Sequence, residues 1–176
     1  AASLWMEQVI RPLLMLDLTG SAIQVGGVLA ARTIPQLVFG LLAGAVADRY
    51  DKKRVLLAAQ FSTMLMQLIM AILVLSGVIE EWHVYATAVG TGVSNAFTQP
   101  ARQSLIPRLV PKLDLLNALA LNSAAVNTMR IGGASLAGIL LIFFGYGTVY
   151  LLDAVIYLGV MFMTLQIKLT PGSSNV

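Results

Sequence analysis

Cysteine is absent from all 176 residues, so the chain can form no disulfide, no thiolate metal site and no cysteine nucleophile. Histidine occurs once, at His83, and there is no H-E-x-x-H, no G-x-S-x-G and no glycine-rich phosphate loop with its lysine. The usual metalloprotease, hydrolase and nucleotide-hydrolase constellations are therefore missing, and no enzymatic role, metal or cofactor is expected. Charge is also scarce: Asp, Glu, Lys and Arg make up 11% of the chain, against about 25% in an ordinary soluble domain. So little polar surface cannot wrap a core against water, which excludes a soluble fold. The formal charge of +3 sits in a few loops rather than along one face, so nucleic acid is not an expected partner. The first apolar segment already contains Glu7 and Arg11, which is no signal peptide, and the start at Ala1 reads as that of an excised piece.

What is present is apolar: 58% of residues are hydrophobic before the 15 glycines are added. A membrane-crossing helix takes about 20 mostly apolar residues, and uncharged runs of that scale cover 55–79, 83–101 and 131–152. Two more spans form if Arg32 and Arg130 are taken inside a bundle. Turn signals at Thr19-Gly20-Ser21, Asp48 to Arg54, Gly77 to Glu81, Pro100 to Asp114 and Gly145-Tyr146-Gly147 divide the chain. The expected fold is an all-α membrane protein, a six-transmembrane-helix bundle with spans near 2–18, 22–47, 54–76, 83–100, 115–144 and 148–167. The fifth span is long enough to tilt or to break around Gly132-Gly133. The bundle occupies 1–167, and 168–176 begins a linker.

Arg49, Lys52, Lys53 and Arg54 share one loop, Arg102, Arg108 and Lys112 another, and Lys168 follows the last span. All lie on one side, whereas the alternate loops hold Glu80 and Glu81, so the basic side is expected to be cytoplasmic in a cell membrane, with both ends of the chain there. Trp82, Tyr85, Tyr146 and Tyr150 fit an outer aromatic belt. Met64, Met66 and Met70 are expected to touch lipid. Arg32 precedes Gly40, and Arg130 precedes Gly138, by the same separation, as in a three-plus-three inverted repeat.

The segment Gly44-Ala45-Val46-Ala47-Asp48-Arg49-Tyr50-Asp51-Lys52-Lys53-Arg54 resembles the loop between helices two and three of the major facilitator superfamily. Gly44, Asp48, Arg49, Lys52 and Lys53 fall on the pattern; Asp51 stands where many members have glycine. Leu16 to Ser21, Gln99 to Pro107 and Leu119 to Ser123 resemble the drug and siderophore exporter branch of that superfamily. The resemblance implies the amino-terminal half of a twelve-helix secondary transporter that rocks against a second six-helix bundle around a midplane site. It further implies that the loop motif acts as a cytoplasmic gate. A Gly-Pro pair typical of antiporters is missing, because Gly133 is followed by Ala134. An uptake permease of the same superfamily and a membrane assembly or sensor module are the alternatives.

Ionisable groups inside a span each need a partner or a wet cavity. Glu7 and Arg11 are four residues apart on one helical face and can pair. Two readings stand: the pair locks the first helix, or Glu7 carries a coupling proton while Arg11, Arg32 and Arg130 meet a small anionic substrate. Asp17 and Asp153 lie nearer the outer ends. Thr87, Thr91, Ser94 and Thr98 recur at helical spacing and, with Asn95, Gln8 and Asn127, are expected to line a polar cavity. Lys52 and Lys53 can switch acidic partners between states.

Overall fold

A computed structural model of the chain describes residues 2–49, 51–109 and 114–166. The chain folds as α1 (Ala2–Thr19), α2 (Ala22–Arg49), α3 (Lys52–Leu75) and α4 (Glu81–Leu109), followed by one helical run, Leu115–Gln166. That run is interrupted at Gly145, whose φ of 73° and ψ of 171° are open only to glycine. It therefore comprises two helices, α5 (115–144) and α6 (146–166), and the described residues form a six-helix bundle with no strand. Gly20 and Gly77, also at positive φ, close α1 and α3.

The expected helices are present, with two corrections. Helix α4 does not stop at Pro100 but continues to Leu109. A proline removes one backbone hydrogen bond, at a cost of about 3 kcal/mol, and packing of α4 between α2 and α3 outweighs it. No break occurs at Gly132-Gly133: the one non-helical residue of the run is Gly145. Asp51 replaces the usual glycine for a local reason, since its side chain caps α3 by accepting from the backbone N–H of Lys53 (2.9 Å) and Arg54 (3.4 Å).

Among the described residues, three segments are long and apolar enough to cross a membrane: Ala22–Gly40, Lys52–Leu75 and Leu116–Gln166, the last with length for two crossings. Helices α1 and α4 are more polar because they supply much of the interior. On α1, Ser3, Met6, Glu7, Ile10, Arg11 and Leu14 are all buried at three- and four-residue spacing, a single inward stripe. Helix α1 packs on the α5–α6 run, α2 on α4, and α3 between α4 and the run. The central core joins Met6, Ile10 and Met15 to Val28, Met70, Val84 and Val149. Large apolar side chains elsewhere point outward, among them Ile23, Leu37, Ile142, Phe143 and Met163. In a membrane protein that is the lipid-facing or partner-facing surface, not a defect.

Tyr150 is fully buried and belongs to the core, so it is no belt residue. Met70 is likewise buried, which corrects the expectation of lipid contact for it, while Met66 is half-buried and packs against Gly90. Polar residues mark both inward faces: Gln60, Thr63 and Gln67 share the buried stripe of Met70 on α3, and Asp153 lies one turn from Tyr150 on α6.

Candidate functional site

The inward stripe of α1 carries an acid and a base. Glu7 Oε1 lies 2.8 Å from Arg11 Nη1, and both side chains are buried. Arg11 Nη1 also donates to the Thr91 hydroxyl at 2.7 Å, which ties α1 to α4. Close by, Asp153 of α6 accepts from the Ser3 hydroxyl and, at 2.9 Å, from Gln67 Nε2 of α3. The two sets of contacts share α1 and together tie it to α3, α4 and α6. Asp153 is not near an end of its helix in any exposed sense; it is enclosed, at 1% exposure. Buried charges survive where opposite charge and hydrogen bonds compensate lost hydration, and here they do so across helices. Even so, Glu7 Oε2 and Arg11 Nε and Nη2 have no hydrogen-bond partner among the described residues.

The threonine and serine face of α4 is inward, as its spacing requires. Thr87, Thr91 and Ser94 are buried. Their hydroxyls bond largely to the carbonyls of α4 itself, Thr87 to His83 (2.8 Å) and Thr91 to Ala88 (3.0 Å). Ser94 bridges the Gly90 carbonyl and Ser62 of α3, each at 2.9 Å, and Thr98 donates to the Ser94 carbonyl. Among the described residues, Thr91 through Arg11 and Ser94 through Ser62 reach across to another helix.

A second polar region opens beside them. Residues of α1, α2, α4 and α5 surround a pocket of about 120 Å³ that includes Trp5, Gln8, Arg32, Asn95, Gln99 and Arg102. Helices α2 and α4 meet closely there: a side chain at Gly92 would strike the backbone carbonyl of Arg32. Arg32 is 8% exposed and Asn95 3%. Arg130 of α5 is exposed and stacks over Trp5 at 5.0 Å, a cation–π contact that leaves its charge beside the pocket. Of the expected cavity residues, Gln8 and Asn95 line this pocket, whereas Asn127 is exposed and its neighbour Val126 lines it.

Arg102 and Trp5 were missed as site residues, because Arg102 was assigned to a loop. The spacing Asn95, Gln99, Arg102 is i, i+4, i+7 and places all three on one face once α4 runs past Pro100. At the acidic end a larger, shallow groove of about 660 Å³ passes Gln24, Glu81 and Tyr85. Gln24 donates to Glu81 at 3.3 Å and accepts from Tyr85. Tyr146 donates to Asp17.

In the loop motif, Asp48 and Arg49 have side chains outside the described residues, while Lys52 opens α3. Lys53 Nζ donates to the Leu165 carbonyl at 2.8 Å, so it caps the end of α6.

With this geometry in place, comparison with known proteins decides the family. The family model described as a transmembrane secretion effector, one of the major facilitator (MFS) models, matches residues 1–176. The chain belongs to that family. It is 31% identical over 156 residues to the staphyloferrin A transporter of Staphylococcus aureus, covering 87% of this chain and 39% of that protein. It is 24% identical over 140 residues to the MFS-type transporter YfiS of Bacillus subtilis, covering 78% of this chain and 32% of that protein. The chain thus spans less than half the length of the relatives it matches, and corresponds to the amino-terminal half of the fold. It is a multi-pass membrane protein of a transporter family.

Proposed function

We propose that this bundle is one half of a secondary transporter that exports a siderophore-like small molecule across the cell membrane by alternating access, driven by a proton gradient. The family's description as a secretion effector supports export, and similarity to a staphyloferrin A transporter supports the class of solute. The observation that carries the coupling is the buried Glu7–Arg11 pair, held to α4 through Thr91 while Glu7 Oε2 is left without a partner. A carboxylate beside one cation, with a vacant oxygen, can take up a proton when helix movement withdraws that cation. The other six-helix bundle completes the path. The basic loops face the cytoplasm, where Gly44, Asp48, Arg49, Lys52 and Lys53 act as the gate between states. Lys53 holds α6 in the present arrangement and releases the Leu165 carbonyl in the other.

The test is efflux from cells expressing the full-length transporter, with and without a protonophore. The expected result is efflux that collapses with the protonophore and falls at least tenfold in Glu7→Gln at normal membrane abundance. Efflux of Glu7→Gln that stays fully protonophore-sensitive would move the coupling proton elsewhere, and failure to move any solute would remove the transport reading.

A further inference from the structure

Among the described residues, the pocket of Arg32 and Arg102 leaves only donors unsatisfied, whereas the Glu7–Arg11 cluster leaves a carboxylate oxygen as well as guanidinium nitrogens. Arg32 Nε, Asn95 Nδ2 and Arg102 Nε are buried donors with no hydrogen-bond partner among the described residues, and all three line this one space of about 120 Å³. No Asp or Glu is among the lining residues, and Arg130 adds a further cation beside Trp5 at the rim. Buried donors are normally satisfied, and two guanidinium groups sharing a small pocket without a counter-charge repel each other. A ligand that only accepts hydrogen bonds and carries negative charge removes both penalties. The planar fork of arginine fits a carboxylate in two-point contact. A drug-sized ligand needs roughly 300 Å³ or more, so this pocket holds one end of a solute and leaves the remainder to the facing bundle.

We infer that the Arg32–Asn95–Arg102 pocket is an oxyanion half-site that selects solutes bearing two or more carboxylates, and that lipophilic cations are not its ligands. The inference rests on the transport reading only for the route the ligand takes; binding itself is independent of it. Gly92 is its structural support, because a side chain there would strike the Arg32 backbone and force α4 away from α2, and Asn95 of α4 and Arg32 of α2 line the pocket together.

The test uses the full-length transporter in detergent, with calorimetric binding of tricarballylate, acetate, inorganic phosphate and tetraphenylphosphonium. Tricarballylate is expected to bind at least tenfold more tightly than acetate or phosphate. Its affinity should drop at least tenfold in Arg102→Gln and in Arg32→Lys, a variant that retains the buried charge but loses the fork, and stay unchanged in Arg54→Gln, whose side chain is 88% exposed. Equal binding of phosphate and tricarballylate would overturn the carboxylate assignment, and tricarballylate binding indifferent to both arginine variants would overturn the site. Gradient-driven efflux together with tricarballylate binding unaffected by Arg32→Lys and Arg102→Gln would sink this inference while leaving the transport reading intact. Arginine-dependent tricarballylate binding without any efflux would do the reverse.

Discussion

The cluster around Glu7 and Arg11 contains charge of both signs, whereas the pocket around Arg32 and Arg102 contains only one. Both are polar regions on the same helix: Glu7 turns to one and Gln8 to the other. In the first, acid, base and the Thr91, Ser3 and Gln67 side chains pair across four helices, so its charges serve to hold the bundle and, in the reading proposed, to carry a proton. In the second, two guanidinium groups meet amide side chains without any carboxylate, a poor arrangement for stability and a good one for capturing an anion. The lesson is that a buried charge is informative through what surrounds it: a partnered cluster speaks first of architecture, and an unpartnered one speaks of a ligand.

The strongest way to break the contrast is to remove the base from the paired cluster. Arg11→Leu strands Glu7 and deprives Thr91 of its donor, so the full-length protein should lose about 3–5 kcal/mol of stability, read as lower yield and a lower thermal midpoint in detergent. The double change Glu7→Leu with Arg11→Leu should recover most of that loss, because no buried charge is left unpaired. If the double variant is as unstable as the single one, the pair is not a self-contained unit.

A smaller effect sharpens the other side of the comparison. Gly92→Ala drives a methyl group into the Arg32 carbonyl, and separation of α2 from α4 should cost about 1–3 kcal/mol. The same change should weaken anion binding while leaving the Glu7–Arg11 contact in place, measurable as a loss of tricarballylate affinity larger than the shift in melting would explain. The least effect is expected at the surface: Lys53→Met loses its bond to the Leu165 carbonyl, yet stability should move by no more than about 0.5 kcal/mol. A change in efflux rate without a change in melting would assign Lys53 to the gate; a matching drop in both would make it a simple helix cap.

Much of the bundle was legible beforehand. Uncharged runs and turn residues located all six helices, and Gly145 was marked by the Gly-Tyr-Gly turn. The four-residue spacing of Glu7 and Arg11 gave their pairing directly. The end of α4 was misread because a proline was treated as a stop, and with it Arg102 was assigned to a loop instead of a pocket. Tyr150 and Met70 were turned outward because residue type was weighed without the helical face, although polar neighbours do mark it: Thr63 and Gln67 precede Met70 on the buried stripe of α3, and Asp153 follows Tyr150 by one turn.

The sequence by itself determined membrane residence, the number of helices, the basic loops and the family, since these depend on local composition, length and short motifs that need no partner to be read. Which polar groups meet was decided only by the tertiary structure. Thr91 finds Arg11, Asp153 finds Ser3 and Gln67, and Arg32 shares a pocket with Arg102 because helices distant in the chain cross at particular points, such as the contact Gly92 allows. Inside a bundle shielded from water, those crossings determine whether a charge is neutralised or left waiting for a ligand.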